Sequence, residues 1–405
     1  DYFKTEIVNN IGEYKKNCLK HYEFYPVDEN EDPNADLDLK IFKREFDDYE
    51  SAKISTVTSK FIKSYAFNSY IGLFKDYNED KVTLIDPIPK PENKANIKWP
   101  KIAYFAVFDG HCGESCAQFL KDNLLNYIIN NLEFPNDIQS SIIKGFEKAE
   151  EIFIKDYAEK NMEKLDNSGS CALVIIITEK KIYVGNCGDC RALLSLERVT
   201  KIKPLTIDHK PNNPSEYERI IKAGAMVFLD DITVPKYDVE KIKFIHNVKD
   251  FNEQCNYFDT VYREYPSYLS VTRTIGDYKF KDKKYGSIKG SIISIPEIFV
   301  FDNKKEYDFI VMGCDGIYDF LHNNQIIDSI IWIIKQLAKE KNYDINELTG
   351  AACDMVIKYA MDKRSEDNLS CIIIGLNGLE KIINEIMKND KKNLTIEKNN
   401  IYNYK

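Results

Sequence analysis

The sequence has 405 residues, of which 43% are hydrophobic and 30% charged, and its formal net charge is −9. This composition indicates a soluble globular protein and argues against a general nucleic-acid binder, which needs a basic face. Ten cysteines without regular spacing do not indicate a secreted disulfide framework, and no apolar stretch is long enough to span a membrane. We expect a cytoplasmic or nuclear protein, although the chain begins at Asp1 and an upstream targeting signal is not excluded.

Residues 1–65 are polar, rich in lysine and aspartate, and weakly periodic. We expect them to form an N-terminal extension, partly disordered or packed on the core, with an acidic loop or disordered link over 28–38. Short strands are predicted over Ser69–Phe74 and Lys81–Ile85, and the prolines between 86 and 100 predict a loop.

An apolar run from Ile102 to Phe108 ends at Asp109 and predicts a buried strand. Helical spacing follows over 114–132 and 138–162. Three further apolar runs predict strands, over Cys171–Thr178, Ile182–Gly188 and Arg191–Leu196.

The second half begins with a helix that we expect to be capped by Asn213 and to end near Gly224. Residues 229–267 lack a clear period, and we interpret them as an enlarged flap or insert. Strands are then predicted over Tyr268–Ile275, Ile292–Ile295, Phe309–Cys314 and Asn368–Leu376, and helices over Asn323–Lys339 and Asp344–Met361, the latter with a capping box. A charged tail occupies 377–405. Grouped strands followed by paired helices favour an α+β fold with antiparallel sheets and outer helices.

Acidic residues lie at the ends of several predicted strands: Glu79 and Asp80 in a turn, Asp109, Asp189, Asp315, and Asp367 before the last strand. Carboxylates gathered in one place repel each other, and a divalent cation removes that cost. All-oxygen ligands select Mg²⁺ or Mn²⁺ over zinc. The alternative is that these acids face solvent at loop tips.

A different metal interpretation starts from Cys187 and Cys190, which have the spacing of half a zinc site or of a redox pair. No second close pair completes a zinc site. Both cysteines equally suit small-residue positions around a tight turn.

An ordered set of motifs spans residues 70–376: Asn78-Glu79-Asp80, Val107-Phe108-Asp109-Gly110-His111, Gly185-Asn186-Cys187-Gly188-Asp189, Asp208-His209-Lys210-Pro211, Thr274-Ile275-Gly276-Asp277, Cys314-Asp315-Gly316 and Asp367-Asn368. With these motifs the chain resembles the metal-dependent serine/threonine protein phosphatases of the PPM (type 2C) family. The resemblance implies a four-layer α-β-β-α sandwich over 66–376, in which two antiparallel sheets are flanked by helix pairs.

The resemblance also implies a site for two Mg²⁺ or Mn²⁺ ions and a third, weaker one. The first ion would be held by Asp109, Asp315 and Asp367. The second would be held by Glu79, Asp109 and the carbonyl of Gly110. The weaker third site would use Asp189, Asp315 and Asp319, and Asp80 would support the ligands.

Other roles follow from the same resemblance. His111 is expected to be the general acid, and Lys75 stands where the family usually has an arginine that grips the phosphate. Cys112 and Cys190 replace a usual glycine and serine, and Cys112 is expected to make the site sensitive to oxidation.

The implied activity is hydrolysis of phosphoserine and phosphothreonine in proteins by a metal-bridging hydroxide, without a phosphoenzyme. The alternatives are a catalytically inactive scaffold or binding protein of the same fold and a hydrolase of small phosphoesters. We expect phosphoprotein substrates, no nucleic-acid partner, no membrane span, and a monomer.

Overall fold

The computed structural model describes residues 6–7, 37–56, 59–158, 166–233, 258–338 and 343–388. Its strands are β1 (Glu6–Ile7), β2 (Lys53–Ile54), β3 (Ser64–Tyr70), β4 (Lys81–Ile85), β5 (Ile102–His111), β6 (Gly169–Thr178), β7 (Lys181–Cys187), β8 (Arg191–Leu196), β9 (Lys201–Pro204), β10 (Met226–Thr233), β11 (Phe258–Tyr265), β12 (Ile275–Gly276), β13 (Glu297–Asp302), β14 (Tyr307–Gly313) and β15 (Leu369–Gly375). Its helices are α1 (Leu39–Lys43), α2 (Ser115–Ile129), α3 (Ile138–Phe153), α4 (Pro214–Ala223), α5 (Tyr278–Lys281), α6 (Asp315–Tyr318), α7 (Asn323–Leu337) and α8 (Ile345–Asp362). Residues 377–388 are also helical.

Two six-stranded antiparallel sheets form the centre of the molecule. One has the order β13-β7-β6-β5-β4 with β12 beside β6, and the other has the order β2-β3-β15-β14-β8-β9. A smaller sheet joins β1, β10 and β11. No helix in the described part of the chain is long and apolar enough to cross a membrane.

The strand β5 shows why the sheets stack between helices. Its side chains alternate between two faces, as successive residues of a strand do. Phe105 and Val107 belong to the core between the two sheets, whereas Tyr104 and Phe108 pack under α2 and α3. A third core lies between the other sheet and α7 and α8. These three cores confirm the four-layer α-β-β-α sandwich.

Helix boundaries follow their capping residues closely. Asn213 Oδ1 accepts the amide of Ser215 at 2.9 Å, and α4 ends at Gly224, whose φ is +93°. Asp344 and Glu347 form the predicted capping box of α8. The π-helical turn Ile154–Ala158 ends the described part of the second predicted helix, and the rest of that prediction lies outside the described residues.

Three strand predictions are wrong. The strand predicted over Ser69–Phe74 is β3, which lies earlier in the chain and ends at Tyr70. Of Tyr268–Ile275 only the last residue is in a strand, and Ile292–Ile295 contributes only isolated bridges. Val271 and Ile292 are buried although they have no regular strand partner, so burial alone produced the apolar pattern.

The described part of the N-terminal extension, from residue 37 onwards, contacts the core. Tyr49 donates its hydroxyl to Asp354 on α8 at 2.8 Å, and the amide of Ala52 donates to the same carboxylate at 2.9 Å. The strand β2 pairs with β3. In the flap region β10 and β11 form an antiparallel hairpin, and the remaining predicted insert, 234–257, lies outside the described residues. The acidic segment 28–36 lies outside them as well.

Candidate metal centre and active site

The site is built at the end of β5, where the apolar run stops. Asp109 is paired with Cys171 of β6, one residue before Gly110. A Cβ atom at Gly110 would lie 2.6 Å from the backbone oxygen of Glu79, so only glycine allows the two chains to approach here. The end of β5 therefore carries the Asp109 carboxylate next to a backbone segment, at Gly110, that has no side chain.

Three carboxylates converge at this edge. The ligand oxygens of Asp109, Asp189 and Asp315 all lie within 4.8 Å of one another. Asp189 comes from the turn after β7, and Asp315 begins α6 directly after β14. Burial, together with repulsion from neighbouring carboxylates, raises the pKa of both Asp109 and Asp315 well above the usual range. This is the electrostatic cost that a bound cation removes.

Glu79 and Asp80 approach from the turn before β4. The amide of Glu79 donates to Asn368 Oδ1 at 2.8 Å, and Glu79 Oε1 accepts the amide of Gly113 at 2.6 Å. Burial raises the pKa of Asp80 to about 6, and its buried Oδ2 has no hydrogen-bond partner among the described residues. The turn thus adds two more acidic groups beside the three-carboxylate cluster, and one oxygen of Asp80 is left to accept a further contact.

Two lysines pair with the remaining predicted ligands. Lys75 Nζ lies 2.7 Å from Asp367 Oδ1, and Lys210 Nζ lies 2.6 Å from Asp319 Oδ1. Burial alone would lower the pKa of each lysine, but the nearby carboxylates outweigh it and raise both pKa values. Lys75, which we expected to grip a phosphate, therefore contacts a predicted metal ligand in this structure.

His111, the proposed general acid, contacts a buried carboxylate. Its Nε2 lies 2.8 Å from Asp277 Oδ2, and the Asp277 side chain is completely buried. Burial would lower the pKa of His111, but the Asp277 carboxylate outweighs it and holds that pKa above its usual value. The same contact overcomes burial and lowers the pKa of Asp277. A histidine so placed retains its proton to higher pH, as a general acid requires.

The cysteines near the site are free thiols. Cys187 and Cys190 are both buried, and burial raises the pKa of Cys187 to about 12. Cys112 is exposed overall, but partial loss of solvent around its thiol and the nearby carboxylates Asp277 and Glu79 raise the pKa of that thiol. A raised pKa disfavours the reactive thiolate, so these surroundings favour neither a redox role for the pair nor easy oxidation of Cys112.

Asp277 and Lys210 were not given roles from the sequence. The sequence did contain a signal for Asp277. Like Asp109, it is an acid that lies at the end of an apolar segment, here the one that finishes with Ile275 and Gly276. Lys210 lay within the quoted motif Asp208-His209-Lys210-Pro211, but nothing in the sequence indicated that it would pair with an acid of the site. The structure therefore adds a buried carboxylate beside His111 and a partly buried ammonium group beside Asp319 to the predicted set.

Comparison with known families and sequences gives a consistent match. Residues 73–369 match the sequence model of the family described as protein phosphatase 2C. Protein phosphatase 1B of Bos taurus is 27% identical over 305 residues, covering 72% of this chain and 53% of that protein. Protein phosphatase 1A of Homo sapiens is 28% identical over 298 residues, covering 71% of this chain and 66% of that protein. This chain thus spans between about half and two thirds of the length of these relatives.

Solved structures share the fold. A serine-threonine phosphatase 2C from Toxoplasma gondii superposes with a TM-score of 0.55 at 17% identity, covering 80% of this chain and 98% of that chain. A C. elegans sex determining protein superposes with a TM-score of 0.57 at 18% identity, covering 81% and 68%.

Proposed function

The chain belongs to the protein phosphatase 2C family, and on this premise we propose that it is a metal-dependent phosphatase of phosphoserine and phosphothreonine in proteins. The observation that carries the proposal is the cluster of Asp109, Asp189 and Asp315, whose carboxylate oxygens lie within 4.8 Å. Such a cluster is costly without a cation and is typical of a hydrolytic metal centre.

The donor set suits hard divalent ions. The acidic side chains of the cluster offer carboxylate oxygens, which Mg²⁺ and Mn²⁺ prefer, and the buried Oδ2 of Asp80 lacks a hydrogen-bond partner among the described residues. We assign one ion to Asp109, Asp315 and Asp367, and a second to Glu79, Asp109 and the carbonyl of Gly110. Held there, such ions would supply an activated water for attack on phosphorus and would offset charge on the phosphoryl oxygens, so that no phosphoenzyme would be needed.

The chain's own groups complete the chemistry. His111 donates a proton to the departing seryl or threonyl oxygen, which is otherwise a poor leaving group. Asp277 orients the imidazole and favours its protonated form through the 2.8 Å contact. Lys75 is about one third exposed beside Asp367, and we assign its ammonium group to contact with an incoming phosphate.

An inactive scaffold is the less favoured alternative. Members that lose catalysis are expected to lose metal-binding carboxylates, whereas this chain keeps every carboxylate that the resemblance assigns to a metal ion. The mutually repelling acids Asp109 and Asp315, which are both partly buried, would lower the stability of a protein that never bound a cation.

The test is hydrolysis of a phosphothreonine peptide by the purified full chain with Mn²⁺, with and without EDTA. We expect phosphate release that EDTA abolishes and that added Mn²⁺ restores. No release with either Mn²⁺ or Mg²⁺ would contradict the proposal. Release only from small phosphoesters would support the alternative hydrolase.

A further inference from the structure

We propose that a basic loop, residues 279–289, selects phosphoprotein substrates that carry aspartate or glutamate close to the phosphorylated residue. The inference rests on the proposed phosphatase function and adds a class of substrate to it. Its basis is a run of lysines that begins two residues after Asp277, the partner of His111.

The charge of the basic loop is opposite to that of the whole chain. The loop contains five lysines and a single acid, Asp282, whereas the chain has a formal net charge of −9. One of the lysines already has a partly buried partner, since Lys281 Nζ lies 2.7 Å from Glu150 Oε1. The others form no ion pair with an acid in the part of the chain that the structure describes; they are Lys279, Lys283, Lys284 and Lys289. All of these except Lys279 are exposed.

Contacts at both ends hold the basic loop in place. At its start, Glu150 of α3 binds Lys281 and also accepts the amide of Gly276 at 2.8 Å. Just beyond its end, Arg219 of α4 donates to the carbonyl of Ser291 at 2.7 Å. The exposed lysines therefore belong to a segment whose two ends are fixed to helices.

The single acid of the loop is engaged within it. Asp282 Oδ2 accepts the hydroxyl of Tyr278 at 2.8 Å, and Oδ1 accepts the amide of Lys284 at 2.9 Å. The ring of Tyr278 also packs edge to face on that of Tyr285, with 5.7 Å between the ring centroids. The carboxylate is thus held in the turn, and the exposed lysines give the loop a positive surface.

The position of the loop in the chain brings its lysines close to the proposed general acid. Lys279 lies two residues from Asp277, so their Cα atoms are at most about 7 Å apart. Lys283 lies six residues from Asp277, at most about 20 Å in an extended chain, and α5 shortens that path because a helix rises only about 1.5 Å per residue. An extended substrate advances about 3.4 Å per residue, so an acid within about five positions of the phosphorylated residue covers the same distance.

Complementary charge gives the loop its choice of partner. Opposite charges across an interface attract, and like charges disfavour the wrong partner. An exposed ion pair strengthens binding by up to about fivefold, so contacts with two lysines should favour an acidic substrate by roughly tenfold. A substrate with lysine or arginine at the same positions should be disfavoured.

The experiment compares kcat/KM of the full chain, in Mn²⁺, for three phosphothreonine peptides that differ only in having glutamate, alanine or lysine around the phosphothreonine. We expect wild type to prefer the glutamate peptide over the lysine peptide by about tenfold, and added salt to reduce this preference. The double variant Lys283→Gln/Lys284→Gln should lose most of the preference. Charge reversal in Lys283→Glu/Lys284→Glu should make the lysine peptide the better substrate, which a general loss of structure would not do.

The matched control is Lys304→Gln/Lys305→Gln, which removes two adjacent exposed lysines between β13 and β14. Their turn follows Asp302, which pairs with Lys181 at the start of β7, whereas the site lies beyond the end of β7. This control should keep the wild-type preference, and circular dichroism checks that each variant folds.

The outcomes separate this inference from the proposed function. Equal kcat/KM of wild type for the three peptides, or a preference that charge reversal leaves unchanged, would overturn the role of the basic loop and leave the phosphatase function intact. If the variants do not fold, a wild-type preference that is insensitive to salt would overturn it as well. Hydrolysis of none of the peptides by wild type would instead refute the proposed function, and the inference would fail with it.

Discussion

Replacing Asp277 with asparagine removes a buried carboxylate 2.8 Å from His111 Nε2 while preserving the size of the side chain. The variant tests whether the histidine works as a general acid that Asp277 holds in place. Because the carboxylate raises the pKa of His111, its removal should lower that pKa. The histidine would then lose its proton at lower pH, and the alkaline limb of the kcat profile should move in the same direction.

The size of the effect follows from the contact. A hydrogen bond between charged groups contributes about 1.5–3 kcal/mol, which corresponds to a loss of roughly 10- to 150-fold in kcat if it acts fully in the transition state. General acid catalysis contributes about 100-fold or more, so His111→Gln should lose at least as much as Asp277→Asn. The double variant should lose little more than His111→Gln alone, because both changes remove one function.

Two substrates separate this role from a structural one. A phosphothreonine peptide needs protonation of its leaving alkoxide, whereas p-nitrophenyl phosphate releases a stable anion without help. We expect Asp277→Asn and His111→Gln to slow the peptide reaction strongly and the nitrophenyl reaction little. Equal losses on both substrates, with an unshifted pH profile, would refute the general-acid assignment and leave Asp277 a structural role only.

Two further predictions concern charged groups around the site. Lys75→Ala should raise KM for a phosphopeptide by about tenfold, whereas Lys75→Arg should keep or lower it because a guanidinium makes two parallel hydrogen bonds; unchanged kinetics for the alanine variant would show that this lysine does not bind phosphate. Glu216→Gln should lower the free energy of unfolding by about 3–5 kcal/mol in urea titrations, because the buried charges of Arg219 and Arg273 lose their shared partner. Burial would raise the pKa of Glu216, but the arginines outweigh it and lower that pKa to about 2. This stabilisation should therefore be present above about pH 4.5 and be lost as the pH falls towards 2. An unchanged unfolding midpoint of Glu216→Gln at neutral pH would contradict the prediction.

The central strands of the sheets could be predicted from the sequence. The strand β5 is apolar on both faces because both faces are buried. Its sequence is therefore an unbroken run of apolar residues, which is typical of a strand covered on both sides. The acids of the cluster were also predictable, since Asp109, Asp189 and Asp315 each follow such a run. By contrast, the run at Tyr268–Ile275 is apolar through loop packing, and periodicity does not distinguish that burial from a strand.

Contacts across the sequence were beyond the reach of the local pattern. His111 and Asp277 are 166 positions apart, and Lys210 and Asp319 are 109 apart. Each pair depends on how two elements meet in space, which neither residue's neighbours reveal. The motif blocks contained His111, Asp277 and Lys210, but only the folded arrangement shows which acid faces which base.

The most direct test of the account is phosphate release from a phosphothreonine peptide by Asp109→Asn in saturating Mn²⁺. Asp109 is shared by both proposed ions, so we expect this variant to lose essentially all activity while remaining folded. The control is Asp302→Asn. Asp302 lies at the exposed end of β13 and pairs with Lys181 of β7, so this variant should keep wild-type activity. Substantial activity in Asp109→Asn would contradict the claim that this carboxylate cluster holds the catalytic ions.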